Sequence, residues 1–214
     1  MKIRNGFVSN SSSSSFIVAL NKKPESAQEV MSILDLPEYI SPYQDQVLPA
    51  ERVAGLVFDD IQSYEHNEED LAKLFSEVLY SYCPSEYSRG NETMALKLLN
   101  EDAVELWETY VKESKDQRSA EKWVSLPEGE KKEKFRDEWH ASNDRQDKMQ
   151  NDLGAIAAKE FLRKNKDKFI FCVEYEDHSP EGTIMEHGEI FRNVTHFRIS
   201  HHYPSSCPPQ PIIP

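Results

Sequence analysis

No stretch of this chain approaches the roughly 20 consecutive apolar residues that a membrane-spanning helix needs, so no membrane segment is expected. The apolar run nearest the start, Phe16 to Leu20, is too short for the core of a secretion signal, and serines precede it. Cysteine is scarce. Cys83, Cys172 and Cys207 form an odd, widely spaced set without a Cys-x-x-Cys pair. That excludes a zinc knuckle and predicts a reduced, cytoplasmic chain. Cations are also in deficit: 25 Lys and Arg stand against 38 Asp and Glu, for a formal net charge of -13. Counterion release from DNA or RNA needs clustered Lys and Arg, so general nucleic-acid binding is not expected. Anionic membranes are disfavoured for the same reason.

Motifs with fixed catalytic spacing are missing too. Without Gly-x-x-x-x-Gly-Lys-[Ser/Thr] the chain is not an ordinary nucleotide triphosphatase. Without a Gly-x-Ser-x-Gly elbow no serine is marked as a nucleophile. No His-Glu-x-x-His occurs, and no metal is assigned to the histidines. Cys172 sits among apolar residues of a strand, where a buried, inert thiol is expected.

The cation deficit is uneven. Residues 1–23 carry Lys2, Arg4, Lys22 and Lys23 and no acid. Residues 190–214 carry Arg192, Arg198 and three histidines, again without an acid. The two ends are therefore the regions that can attract an anion.

What stands out at the first end is a run of five serines, Ser11 to Ser15, leading straight into Phe16-Ile-Val-Ala-Leu20. A continuous apolar run of that length reads as a strand covered on both faces. Lys168 to Tyr175 is the strongest strand signal, and His196 to His202 alternates as a third strand. Glu176 to Gly182 reads as a loop, and Thr183 to Asn193 as a short helix.

Between these ends the pattern is helical. Helices are expected over Glu25 to Leu36, after Pro49, after a capping Asn67, over Asn91 to Lys112, and over Asp147 to Asn165. Pro37 and Pro42 read as chain breakers. Ser125-Leu-Pro-Glu128 is a capping-box pattern. Residues 128–150 are very polar and read as a solvated helical hairpin or a partly mobile arm, within a polar helical arm over 113–150, with Trp107, Trp123, Phe135 and Trp139 as anchors or a partner surface. Residues 204–214 form a proline-rich tail.

Strands at opposite ends of the chain are stable only if they share a sheet. The expected class is α+β: mostly helical, with one small β-sheet formed by strands from the N- and C-terminal segments. Residues 1–203 make a single domain, in which 1–23 and 166–203 build the sheet module and 24–165 are a helical insertion.

Arg4-Asn-Gly-Phe-Val-Ser-Asn-Ser-Ser-Ser-Ser-Ser-Phe-Ile-Val18 resembles an N-terminal motif shared by a family of uncharacterised bacterial and bacteriophage proteins. Glu186-His-Gly-Glu-Ile-Phe-Arg-Asn193 and His196-Phe-Arg-Ile-Ser-His-His202 are similar to the other end of such proteins. The resemblance covers both ends and none of the helical middle. It implies a small bacterial or phage accessory protein of the cytoplasm (the host's, if phage-encoded) whose two ends work together. It implies no catalytic residue.

Small serines in a tight loop give a concave array of backbone N–H groups and hydroxyls that holds anions without a full charge. Asn10, Ser11, Ser12, Ser13, Ser14 and Ser15 are therefore ligand-binding candidates. In a regular third strand His196, Arg198, Ser200 and His202 share one face, and Phe197, Ile199 and His201 the other. Arg198, His187 and His202 join the ligand-binding set, because arginine clamps a phosphate and histidine exchanges protons near neutrality. His196, His202 and Glu186 are the candidates should catalysis occur. The expected function is binding of a phosphate-bearing ligand or a host protein where the termini meet. The alternatives are a phosphoesterase built on the C-terminal His and Arg, and an interaction factor acting through the acidic helical region.

Overall fold

The computed structural model describes residues 13–43, 46–80, 98–118, 130–176 and 179–200. Among them it is α+β, with six helices and two antiparallel sheets. The chain forms two compact units. One is built from the two ends (described residues 13–66 and 167–200), the other from residues 67–166.

In the first unit, β1 (Ser13–Leu20) is the centre of a three-stranded sheet. It lies between β4 (Phe169–Glu176) and β5 (Thr195–Ser200), antiparallel to both. The expected meeting of strands from the two ends is thus realised. Phe16, Val18 and Leu20 turn to one face, where Phe171, Tyr175, Phe191 and Ile184 close a core. Ile17 and Ala19 turn to the other face and are buried as well. That double burial is why β1 reads as an unbroken apolar run. Ser13, Ser14 and Ser15 belong to the strand itself, with Ser14 and Ser15 buried. They are not loop residues.

Helices α1 (Ala27–Leu34) and α2 (Ala50–Ser63) add Val30, Leu34, Val53, Val57 and Ile61 to the core on the Phe16 side. They belong to the sheet's unit, so the unit boundary falls at 66/67 rather than 23/24. Ser26 caps α1, its Oγ accepting from Glu29 N at 3.2 Å. Asn193 Nδ2 donates to the Leu34 carbonyl near the other end of α1, at 3.1 Å. Between these helices lies a hairpin that was not expected, β2 (Tyr39–Tyr43) with β3 (Gln46–Pro49). Pro42 is tolerated in β2 because the pairing register shifts between Ile40 and Tyr43.

The helix near the C-terminal end also differs from expectation. Helix α6 covers Pro180–His187. Ser179 caps it by accepting from Gly182 N at 3.0 Å, with Pro180 in the first turn. It ends at Gly188, and Glu189 takes a left-handed φ of 49°. Residues 179–182 are therefore cap and helix rather than loop, and Ile190 to Asn193 lie beyond the helix.

The second unit contains α3 (Glu68–Tyr80), α4 (Glu101–Arg118) and α5 (Glu130–Lys164). Asn67 and Asn100 cap the first two, accepting from Glu69 N and Ala103 N at 2.9 Å each. Leu71, Phe75, Trp107, Leu153 and Phe161 are fully buried. Helix α5 is 35 residues long, about 52 Å at 1.5 Å per residue. It joins the polar segment and the expected final helix into one rod, so the described residues 130–150 are not a hairpin. Ser125, Trp123 and Cys83 lie outside the described residues, as do residues 204–214. Among the described residues no helix is long and apolar enough to cross a membrane.

Gly154 marks where α5 meets α3. A Cβ there would lie 2.5 Å from the Ala72 carbonyl oxygen and 2.7 Å from Ser76 N. Alanine favours a helix over glycine by about 1 kcal/mol, but overpacking costs about 1–3 kcal/mol. Both close atoms are backbone, which cannot rotate away. Gly154→Ala is therefore expected to lower the urea midpoint, with a net loss of up to about 2 kcal/mol. An unchanged or higher midpoint would show that the two helices are not packed this closely.

Candidate functional site

The first unit carries a polar cluster where β1, α6 and β5 converge. Ser14 lies opposite Tyr175 on one side and Ser200 on the other. Its Oγ donates to Glu186 Oε1 at 2.9 Å. The same oxygen accepts from Arg198 Nε at 3.1 Å. Arg198 Nη2 lies 3.5 Å from Glu186 Oε1 and 3.3 Å from His187 Nδ1. His187 Nε2 lies 3.5 Å from Glu186 Oε2. Beneath the guanidinium lies the Phe16 ring, with 5.9 Å from Cζ to the ring centroid.

Each element places its residue for a local reason. Strand alternation puts Ser14 and Phe16 on one face of β1, and Arg198 is the register partner of Phe16. Pro180 and the Ser179 cap start α6 so that Glu186 and His187 fall in its last turn, just before Gly188 ends it. A Cβ at Gly188 would meet the Ile184 carbonyl oxygen at 2.4 Å and Ile40 Cγ2 at 2.7 Å, so glycine is required by space there.

The burial gradient defines the chemistry. The Glu186 side chain is fully buried, whereas Arg198 and His187 keep 19% and 27% side-chain exposure. A buried carboxylate is tolerated only with strong partners, and here Ser14 and Arg198 supply them. A guanidinium only donates, so Nδ1 accepts from it when the His187 ring is neutral with its proton on Nε2, the nitrogen nearer Glu186. One cationic and one ionisable side chain thus reach solvent above a buried carboxylate.

A second polar pair lies beside Ser14. Tyr175 donates to Asp60 Oδ2 at 2.8 Å. Burial raises the Asp60 carboxyl above its ordinary range, partly opposed by the Tyr175 hydrogen bond. Burial, followed by the Asp60 charge, holds the Tyr175 hydroxyl well above its ordinary value. Asp60 interrupts an apolar helical stripe, which is a sequence signal for a paired acid. Nothing in the sequence marks Tyr175 as its partner.

Of the expected site residues, Ser14, Arg198, His187 and Glu186 come together. Ser13 and Ser15 alternate to the other face of β1. The backbones of Ser13 to Ser15 lie in the paired central strand, so the expected looped donor array does not form there. His196 shares a face with Arg198 but is turned to the core. Its Nδ1 lies 3.0 Å from the Val194 carbonyl, and its ring packs 6.3 Å from that of Phe191. Asn10, Ser11, Ser12 and His202 lie outside the described residues. Cys172 is partly rather than fully buried, with the Tyr64 hydroxyl 3.8 Å from its sulfur. Among the described residues no three His, Cys, Asp or Glu side chains are grouped to hold a metal. No family model, curated protein or solved structure matches the chain, so no role carries over to these residues from another protein.

Proposed function

We propose that this protein binds a phosphate-bearing ligand at the Arg198–His187 face of the cluster. The observation that carries the reading is the position of Arg198. It is partly exposed, yet clamped by Ser14, Glu186 and the Phe16 ring. A guanidinium fixed in this way has already lost its rotamer freedom, so an anion meeting it has less ordering to impose. His187 adds an ionisable imidazole at the same rim, able to donate to an anion when protonated. In a chain of net charge -13 such a rim is a local exception to the field that repels anions. Binding is favoured over hydrolysis because Ser14 is fully buried and bonded on both sides, which leaves its oxygen no path to a phosphorus atom. The bacterial or phage setting suggested by the end motifs fits a cytoplasmic phosphate compound as ligand.

Calorimetric titration with inorganic phosphate, a nucleoside monophosphate and a sugar phosphate tests this. At least one is expected to bind. Arg198→Lys is expected to weaken it tenfold or more, about 1.4 kcal/mol, because lysine keeps the charge and loses the planar fork. No binding of any of the three at millimolar concentration, or an unchanged affinity in a folded Arg198→Lys variant, would remove the reading.

A further inference from the structure

We infer that the outward face of the β2–β3 hairpin docks a short segment of another protein, one that presents an apolar side chain between lysines or arginines; this does not rest on the anion-binding reading above. A hairpin with one face on a core ordinarily turns polar residues to water on the other. The inward side follows that rule. Ile40 is buried there, and Leu48 packs against the core. The outward side breaks it. Tyr39 is 56% exposed and Val47 52%, and they are the large apolar side chains that stand exposed among the described residues. In β4, by contrast, the exposed positions are Glu174 and Glu176. Tyr39 pairs with Pro49, which is exposed too. Val47 lies two residues from Pro49 along β3 and so shares its face. That sets Val47 diagonally across from Tyr39, a spacing of roughly 7–8 Å that an aromatic side chain can span. The three side chains form one apolar surface.

Charge selects the occupant. Glu38 and Glu51 are exposed at the root of the hairpin, where Ala50 N donates to the Glu38 carbonyl at 3.0 Å. Among the described residues neither carboxylate is in an ion pair. Arg52, next to Glu51, is held instead by Glu181 through hydrogen bonds of 2.8 and 3.0 Å. An apolar surface beside two unmatched acids, in a chain of net charge -13, suits an apolar side chain flanked by cations.

A second copy of the chain suits it poorly, for three reasons. It brings the same acidic excess. Pro42 in β2 and Pro49 in β3 lack the N–H groups that edge-to-edge pairing uses. Three partly exposed side chains also fall well short of the roughly 800 Å² per partner that a stable dimer buries. A short segment needs far less area, and its cations reach the two acids.

A display library of random dodecapeptides, panned against the whole chain, supplies the probe. The enriched peptides are expected to carry an aliphatic or aromatic residue between Lys or Arg. Added to isotope-labelled protein, they should shift the amide resonances of Tyr39 and Val47. The double variant Tyr39→Thr, Val47→Thr keeps β-forming residues at both positions. It should match the parent by circular dichroism and bind the peptide about tenfold more weakly. If it does not fold, Val47→Thr alone carries the comparison. Glu38→Gln combined with Glu51→Gln should weaken binding about threefold and flatten its dependence on salt. Enriched peptides that are acidic, or that bind a folded threonine variant as tightly as the parent, overturn the inference. So does a library that yields no binder. A dimer seen in sedimentation and abolished by the threonine substitutions also overturns it, by assigning the face to a second copy.

Discussion

Replacing Arg198 with alanine is expected to cost about 3–5 kcal/mol of folding stability, the range for removing one partner of a buried ion pair. The size comes from Glu186 rather than from Arg198. Arg198 is partly exposed, and losing its own contacts would cost little. Glu186 is fully buried and cannot turn to water when the guanidinium is gone. Ser14 would still donate to it, but a neutral hydroxyl does not balance a charge. Ser14→Ala is expected to cost less, about 1–3 kcal/mol, because it removes one hydrogen bond to that carboxylate and leaves the guanidinium in place. Urea denaturation midpoints measure both. The double variant Glu186→Gln, Arg198→Met should recover much of the Arg198→Ala loss, since a buried pair replaced on both sides by neutral groups is often nearly neutral. If Arg198→Ala costs under about 1 kcal/mol, the pair behaves as a surface bridge. The clamp on which anion binding depends would then not exist.

The sheet that brings these groups together was legible in the sequence for a definite reason. An unbroken apolar run such as Phe16 to Leu20 needs cover on both faces and partners on both edges. Those partners had to come from the other end, where Phe169 to Tyr175 and the alternating His196 to Ile199 supply them. Alternation also put Arg198 and His196 on one face correctly. It could not reveal register. Only the pairing of Phe16 with Arg198, and of Ser14 with Tyr175, sets which residues meet the serines. Arg198 meets Ser14, while His196, one pleat along opposite Val18, falls against Phe191.

Glu186 was legible as a polar residue of a motif but not as a buried one. Burial of a carboxylate depends on partners far away in sequence, and its partner Ser14 is 172 positions distant. The missed hairpin has a different cause. Pro37 and Pro42 are strong breakers of helix, and β2 and β3 are too short to outweigh them, with Ile40 and Leu48 supplying the inward positions. The start of α6 departs from the loop expected there because Ser179-Pro180, a serine cap followed by proline in the first turn, is a helix signal that polar composition hides. Helix α5 hid its length because its first half is almost wholly polar. Glu, Lys, Arg, Gln and Ala are good helix formers, and no proline interrupts residues 130–164. Propensity rather than an apolar stripe carries that half.

Phe16→Ala is expected to cost about 3–5 kcal/mol, the usual penalty for emptying a buried aromatic position. Phe16 is 5% exposed and sits among three partners. Its ring centroid lies 5.3 Å from that of Phe191 and 5.8 Å from that of Tyr175. On its far side it carries the Arg198 guanidinium, a contact worth about 0.5–1 kcal/mol where water is near. Alanine would open a void that joins the aromatic core to the polar cluster. Leucine fills most of it, so Phe16→Leu is expected to cost only about 1–1.5 kcal/mol. The comparison separates packing from site geometry. In Phe16→Leu, Ser14 and Glu186 still hold Arg198, and phosphate affinity is expected to stay within about threefold, or 0.65 kcal/mol. The losses from Phe16→Ala and Arg198→Ala should also fall short of additivity by 0.5 kcal/mol or more, because the two side chains touch. A Phe16→Ala cost below about 1.5 kcal/mol would mean that the ring is not packed in the core. Strict additivity would mean that the core and the cluster do not share this residue.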